Sequence, residues 1–234
     1  MKISVVLAAY NGEKYICEQL SSVLSQLGEN DEVIVSDDNP AGKTKDAVLS
    51  LGDSRIIYTE GEGKGVVKNF ENALRKACGD IIFLCDQDDV WLPGKVDTVT
   101  AAVQSGCDLV LHDASVTDEN LNITDGSYFR THGSNASFAK NIIKNSFVGC
   151  CMAFTRPVLE CALPFPGNVP MHDWWIALAA MKKGYRVKLI DTPLILWRRH
   201  GGNVTGGKTS LASKIRWRAV IIASLARAGR RKDK

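Results

Sequence analysis

Three aspartates in four positions, Asp86, Asp88 and Asp89, follow directly on the apolar run Ile81-Ile82-Phe83-Leu84-Cys85. A run of that length reads as a buried strand, and acids gathered at its end repel one another unless something positive lies among them. In parallel α/β sheets the carboxyl ends of strands are where ligands bind. Clustered carboxylate oxygens there suit a hard divalent cation, Mg²⁺ or Mn²⁺, that also holds substrate phosphates. The chemistry expected here is therefore a metal–diphosphate site. Capping explains only one of the acids: Asp89 as N-cap, with Pro93 in the first helical turn, leaves Asp86 and Asp88 without a reason.

Five further constellations carry chemistry. The first apolar run ends in Ala8-Ala9-Tyr10-Asn11-Gly12, where small residues and Asn-Gly let the backbone turn sharply beside a ligand. The second, Glu32–Ser36, ends in Asp37-Asp38; these acids either accept from a nucleobase imide or ribose hydroxyl, or form an Asx-turn before the next helix. Gly61-Glu62-Gly63-Lys64-Gly65 has the glycines of a phosphate cradle but not the spacing of a P-loop or dinucleotide fingerprint. It reads as a flexible connection that brings Lys64 near substrate, with Asn69 on the following helix facing the site.

The other two lie in the second half. His172-Asp173-Trp174-Trp175 opens a helical pattern behind a proline-rich loop. A carboxylate at a helix start is stabilised as an anion, and two indoles beside it offer an apolar platform. Asp173 thus reads as a general base for a substrate hydroxyl, or as an N-cap beside a core Trp pair. Trp197-Arg198-Arg199-His200-Gly201-Gly202 ends a short strand with two guanidinium groups suited to phosphate oxygens and an imidazole before a glycine stretch.

The elements that must position these groups follow from periodicity. Strands are expected over Ile3–Ala9, Glu32–Ser36, Arg55–Thr59, Asp80–Cys85 and Cys107–His112, with helices near 14–27, 43–51, 66–78 and 92–105 between them. That alternation predicts an α/β fold with a mostly parallel sheet covered on both faces. From about 114 to 137 a polar segment rich in Asn, Asp, Ser and Thr reads as a long loop. An apolar run Phe147–Phe154, a helix near 172–183 and short strands near 185–190 and 194–199 complete a substrate-facing half.

At 234 residues and 45% hydrophobic content, one sizeable core suffices. The net charge of +3 hides an asymmetry. Residues 208–234 hold nine Lys/Arg against one Asp, which leaves residues 1–207 with 20 Lys/Arg against 25 Asp/Glu. Seven cysteines form no CxxC pair and mostly lie in apolar runs, as reduced thiols do in the cytosol. The apolar start is too short for a signal peptide and reads as a strand, and no run approaches a membrane span. A cytoplasmic location is expected.

Taken in order, these motifs resemble the family-2 inverting glycosyltransferases of GT-A fold. The resemblance runs from Ile3 to about Gly206 on Val5-Val6-Leu7-Ala8-Ala9-Tyr10-Asn11-Gly12, Val35-Ser36-Asp37-Asp38, Asp86-Gln87-Asp88-Asp89-Val90-Trp91, Gly149-Cys150-Cys151-Met152-Ala153-Phe154, His172-Asp173-Trp174-Trp175 and Arg199-His200-Gly201-Gly202-Asn203. It implies a Rossmann-like nucleotide-sugar-binding half (1–113), an acceptor-binding half (114–207) and a separate basic tail (208–234). It implies a nucleotide-sugar site of Ala9, Tyr10, Asn11, Asp37, Asp38, Lys64, Asn69, Asp86, Gln87, Asp88 and Arg199. Metal ligation falls to Asp88, Asp86 and His200, catalysis to Asp173, and acceptor contacts to Trp91, Gly149, Cys150, His172 and Trp174.

The implied reaction moves a sugar from a nucleoside diphosphate, dTDP-rhamnose or a UDP-hexose, to a hydroxyl of a glycan or lipid-linked acceptor of a bacterial surface polysaccharide. After Asp37-Asp38 the family usually continues Gly/Ser-Thr-Asp, whereas here Asn39-Pro40-Ala41-Gly42-Lys43-Thr44-Lys45-Asp46 intervenes. The basic tail, with an apolar middle and Trp217, suits an interfacial helix on an anionic leaflet, which implies peripheral attachment to the inner face of the plasma membrane. Nucleic acid is a poor fit because the excess cations are confined to the tail. A non-catalytic nucleotide-sugar-binding scaffold and a sugar-nucleotide pyrophosphorylase are the rival readings; the latter lacks its glycine-rich basic loop after the first strand.

Overall fold

A computed structural model describes residues 1–203 and 210–228. The first half alternates as its periodicity dictates: β1 (Ile3–Ala9), α1 (Ile16–Leu24), β2 (Glu32–Asp37), α2 (Thr44–Leu49), β3 (Ile56–Glu60), α3 (Val66–Leu74) and β4 (Ile81–Asp86). Residues of β1, β2 and β4 are buried on both faces, which is why they read as continuous apolar runs rather than alternating ones. Helix α1 turns Ile16, Leu20 and Val23 to the sheet, one apolar stripe at the helical period.

The chain continues through β5 (Val90–Trp91), α4 (Lys95–Gln104), β6 (Leu109–Thr117), β7 (Ile123–Asp125), α5 (Tyr128–His132) and α6 (Phe138–Ile143). Then follow a 3₁₀ turn at Gly149–Cys151, β8 (Met152–Thr155), α7 (Arg156–Ala162), α8 (His172–Lys182), β9 (Val187–Arg198) and α9 (Leu211–Ala228). The sheet runs β3-β2-β1-β4-β8-β6-β9-β5, with β7 paired to β6. Strands β1 to β4, β6 and β9 point one way; β5, β7 and β8 are antiparallel to their neighbours. Strand order reverses between β1 and β4, so the crevice beyond their carboxyl ends is the natural ligand position of such a sheet. Register puts Ala8 beside Asp86 and Ala9 beside Asp37, aligning the motif-bearing ends in one row.

Helix α8 is buried along almost its whole length, from His172 to Ala180, because it lies between other helices and the sheet rather than at a surface. Its two indoles are core residues. Trp174 Nε1 donates to the Asn141 carbonyl (2.7 Å) and Trp175 Nε1 to the Ala162 carbonyl (2.8 Å). The expected aromatic platform at the acceptor is thereby corrected: a buried indole satisfies its N–H inside the protein and has no face left for a sugar.

Other expectations are corrected too. Asp89 does not cap a helix: β5 intervenes and α4 begins at Lys95 behind Gly94, whose positive φ of 83° suits glycine. The 114–137 segment is not one long loop. Strand β6 extends to Thr117, β7 pairs with it, and α5 follows with Ser127 as N-cap. The two short strands expected after residue 185 are one strand, β9, whose pairing with β6 shifts register around Asp113. The tail helix α9 is not free: it packs Ile221 and Leu225 against the body.

Candidate active site

The turn after β4 is held from two sides. On one side the Gln87 amide clamps the end of β1: the Tyr10 N–H donates to Gln87 Oε1 (2.9 Å) and Gln87 Nε2 donates to the Tyr10 carbonyl (3.0 Å). Gly12 lies close beneath this clamp: a Cβ there would come within 2.2 Å of Gln87 Oε1 and would force the flexible amide to shift. On the other side Arg198, buried at the end of β9, donates its backbone N–H to Asp89 Oδ1 (3.0 Å) and its Nε to the Asp88 carbonyl (2.7 Å). Its remaining guanidinium nitrogens reach the Glu119 carbonyl and the Glu18 carboxylate, and its plane covers the Tyr15 ring. Arg198, read from sequence as a phosphate contact, is thus a structural tie.

Asp88 and His200 meet. His200 Nε2 lies 2.7 Å from Asp88 Oδ2, and the Asn203 amide donates to the same oxygen (2.9 Å). Because the Gly202 N–H donates to His200 Nδ1 (3.1 Å), that nitrogen is the acceptor and Nε2 carries the proton toward Asp88. In this arrangement the imidazole orients Asp88. For His200 to ligate a metal through Nε2, that proton must leave.

Asp86 faces a different set. Its carboxylate lies with Asp89 and the Cys150 thiol in a group whose ligand atoms are all within 4.8 Å of one another. Burial, then the charges of Asp88 and Asp173, push the Asp86 carboxyl up. Asp89 is likewise pushed well up by burial and its two acidic neighbours, and its Oδ2 is buried without a hydrogen-bond partner. Hydrogen bonding to Cys151 and burial push the Cys150 thiol up, so it is no thiolate ligand. Such a set fits a hard, oxygen-seeking cation rather than zinc. Asp86 and Asp88 are half-buried and able to serve a ligand, whereas Asp89, 1% exposed and engaged by Arg198, belongs to the scaffold.

Beneath this group lies Lys95, completely buried, its Nζ donating to the Cys150 carbonyl (2.9 Å) and sitting 4.1 Å above the Trp91 ring. Sequence reasoning missed it, because a lysine in an amphipathic pattern reads as solvated. Trp91, expected at the acceptor, is 3% exposed and packs on Phe83 instead.

Asp173 occupies the first turn of α8. Burial raises its carboxyl to about 7, opposed by the Trp174 N–H, which donates to its Oδ1 (2.6 Å), and by the nearby Gly149 N–H and Asn145 amide. It lies close enough to Asp86 for its charge to help raise that group. His172 stacks on Phe70 (3.9 Å between centroids) and abuts Gly149, where a Cβ would come within 2.7 Å of the ring. Burial lowers its imidazole to about 3, so it is neutral. Asn145 was not foreseen; nothing about an Asn in a polar stretch marks it as the partner of a distant carboxylate.

The expected nucleotide contacts divide. Tyr10, 60% exposed, Asn11 and Lys64 are at the surface, Lys64 paired with Glu62. Ala9 is buried. Asp37 is fully buried, its oxygens accepting from the Asn39 N–H (3.0 Å) and the Tyr58 hydroxyl (2.9 Å), so here it faces inward and braces its own turn. Asp38 accepts from the Gly63 (2.9 Å) and Gly65 (2.7 Å) N–H groups and thereby pins the glycine loop. Asn69 staples two strand ends, donating to the carbonyls of Ala9 and Ser36 (2.9 Å each). Arg199 lies over the Trp197 ring.

Comparison with known proteins accords with this geometry. The family described as "Glycosyl transferase family 2" matches residues 4–163. The Escherichia coli UDP-Glc:alpha-D-GlcNAc-diphosphoundecaprenol beta-1,3-glucosyltransferase WfgD is 27% identical over 182 residues, 77% of this chain and 70% of its own. The structure of Staphylococcus aureus TarS 1–349 with UDP-GlcNAc superposes with a TM-score of 0.75 at 20% identity, over 97% of this chain and 69% of that one. Glucosyl-3-phosphoglycerate synthase from Mycobacterium tuberculosis, solved with Mn²⁺ and UDP, gives 0.62 at 19% identity, over 100% and 81%. The chain spans 66% to 70% of the length of the first curated relatives it matches. With a family match across residues 4–163 and a mostly parallel sheet shared with these transferases, the chain belongs to glycosyl transferase family 2 and has the GT-A fold.

Proposed function

We propose that this chain is a metal-dependent inverting glycosyltransferase that moves a hexosyl group from a UDP-hexose to a hydroxyl of a saccharide carried on a polyprenyl diphosphate, in the synthesis of a bacterial surface glycan. One observation carries the reading. The motif acids Asp86 and Asp88, from the end of β4, and Asp173, from the start of α8, share one electrostatic neighbourhood although 84 or more residues separate the two segments. The donor and acceptor classes are supported by what the names of WfgD and TarS state for those proteins.

Asp86 and Asp88 would hold the cation, which would supply positive charge against the departing nucleoside diphosphate. Tyr10, Asn11 and Lys64 border the nucleotide at the mouth of the β1/β4 crevice, and Arg199 reaches the phosphate oxygens. Asp173 removes the proton from the acceptor hydroxyl as its oxygen bonds to the anomeric carbon and the bond from that carbon to the diphosphate oxygen breaks, with inversion. An ionisation near 7 suits a base working at neutral pH, and the raised value comes from burial beside the apolar α8 core. A glycosidase needs a second carboxyl as acid, whereas a diphosphate leaves without one. Residues 1–113 supply the donor side and 114–207 the acceptor side.

The test is a panel of UDP-, GDP- and dTDP-sugars, with Mn²⁺, Mg²⁺ or EDTA, followed by ligand-detected NMR and nucleoside diphosphate release. Metal-dependent binding of a UDP-hexose, lost in Asp88→Ala and kept in the inactive Asp173→Asn, is the expected result. Preference for dTDP-rhamnose would replace the donor assignment, and binding without turnover on any lipid-linked acceptor would favour a scaffold.

A further inference from the structure

The outer faces of α6 and α9 are unlike the rest of the surface. Leu211, Ile215 and Ile222 on α9 are 71%, 59% and 51% exposed. At 3.6 residues per turn they fall within about 40° of one another, an apolar stripe crossed only by Arg218, which falls in the same sector. Ile143, the last residue of α6 and 64% exposed, extends the stripe across the helix junction, where Arg218 of α9 donates its Nε to the Ile143 carbonyl (2.8 Å). Cations frame it: Lys140 and Lys144 from the α6 side and Lys214 from α9, all exposed.

The counter-sign is missing. Between Gly126 and Leu159, and again between Thr192 and Lys232, the sequence has no Asp or Glu, whereas residues 1–207 as a whole carry five more acids than Lys/Arg. An apolar stripe flanked by cations and free of carboxylates matches the interfacial zone of an anionic bilayer, where lipid phosphates meet acyl chains. A protein partner of ordinary surface would require acids to avoid desolvating this many unpaired cations. Among the described residues no helix is long and apolar enough to cross a membrane, so contact here is from one side.

The face also connects to the chemistry. Within α6 the Asn141 carbonyl holds the indole of Trp174, the residue after Asp173 on α8. The helix that would lie on the lipid thus packs against the helix that carries Asp173.

We propose that α6 and the outer stripe of α9 together form a docking face for an anionic phospholipid surface, oriented so that an acceptor on a lipid carrier enters from the Asp173 side. The acceptor clause rests on the proposed transferase reading; the docking clause does not, and is measured without donor. Trp217, half-buried, turns away from the stripe, so docking belongs to this two-helix face rather than to the tail alone.

The experiment is flotation of the whole chain with vesicles of phosphatidylglycerol and phosphatidylcholine, or of phosphatidylcholine alone, alongside sedimentation velocity without lipid. The wild type is expected to float only with the anionic vesicles. Lys140→Gln with Lys214→Gln, one change on each helix, should weaken binding about thirtyfold, roughly fivefold for each cation removed. Ile143→Ser alone should weaken it several-fold. Transfer to a short-chain, water-soluble acceptor serves as the folding control and should be unchanged in each variant. Flotation that persists in the α6 variants would overturn the composite face in favour of the tail. A dimer dispersed by Ile215→Ser, with no flotation, would assign the stripe to a second copy and overturn the proposal. Loss of all transfer with flotation intact would refute the transferase reading and leave the docking face standing.

Discussion

Replacing Asn145 by Ala removes a nearby amide that favours the ionised Asp173 carboxylate, while leaving the Trp174 and Gly149 N–H groups in place. A hydrogen bond to a charged group contributes about 1.5–3 kcal/mol when buried. Asp173 is only half-buried, so the lower end applies, and about 1.4 kcal/mol corresponds to one pH unit. From about 7 in the native protein, the ionisation should move to about 8 in the variant. A base works only when ionised, so the rate at pH 7 falls about fivefold, from one half ionised to about one tenth. At pH 6 the loss approaches about tenfold, and at pH 9 it nearly vanishes, since both proteins are then ionised. With Mn²⁺ bound, both curves would move to lower pH together, so these same losses would appear at correspondingly lower pH. The assay is kcat against pH from 5.5 to 9.5 with saturating donor and a fixed concentration of Mn²⁺. An equal loss at every pH would refute the reasoning, because it would mean that Asn145 shapes the site without governing the ionisation of Asp173.

Two further outcomes follow from the same site. Asp86 and Asp173 are both raised, so as pH rises through the neutral range the metal-free protein acquires carboxylate charges that repel, and stability present at lower pH is lost. Mn²⁺ should therefore raise Tm more at pH 8 than at pH 5.5, and Asp88→Ala should reduce that gain; an equal shift at both pH values would place the ion elsewhere. Gly12→Ala drives a methyl into Gln87 Oε1, and because that oxygen is the end of a flexible side chain the stability cost stays near about 1 kcal/mol. The Tyr10 clamp opens, so donor binding by titration calorimetry should weaken about tenfold; unchanged affinity would show that the clamp does not shape the donor site.

Much of the donor half was legible in the residues alone. Continuous apolar runs ending in acids can hardly be anything but buried parallel strands with their polar ends at one edge, and β1, β2 and β4 lie as read, with their carboxyl ends in one row. The GT-A fold and family followed from the order of six motifs, since each demands a local backbone at a fixed place in the chain. Asp89 was misjudged for a local reason: cap and buried acceptor look alike until the partner is known, and that partner, the Arg198 N–H, comes from 109 residues away.

The second half depended on pairings that no short window contains. Polar residues at 114–137 gave no periodic signal, yet β6 runs into them as far as Thr117 because β7 and β9 pair with it there. Residue type alone made Trp91 and Trp174 look like sugar platforms, and Lys95 look solvated; burial is a property of the finished packing and reverses all three. The sequence by itself determined which acids could do chemistry and in what kind of sheet. Only the tertiary structure decided which oxygens remain open to a ligand, because hydrogen-bond partners such as Tyr58 for Asp37 and His200 for Asp88 are brought from distant segments, and because burial in the finished site raises the carboxyl of Asp173.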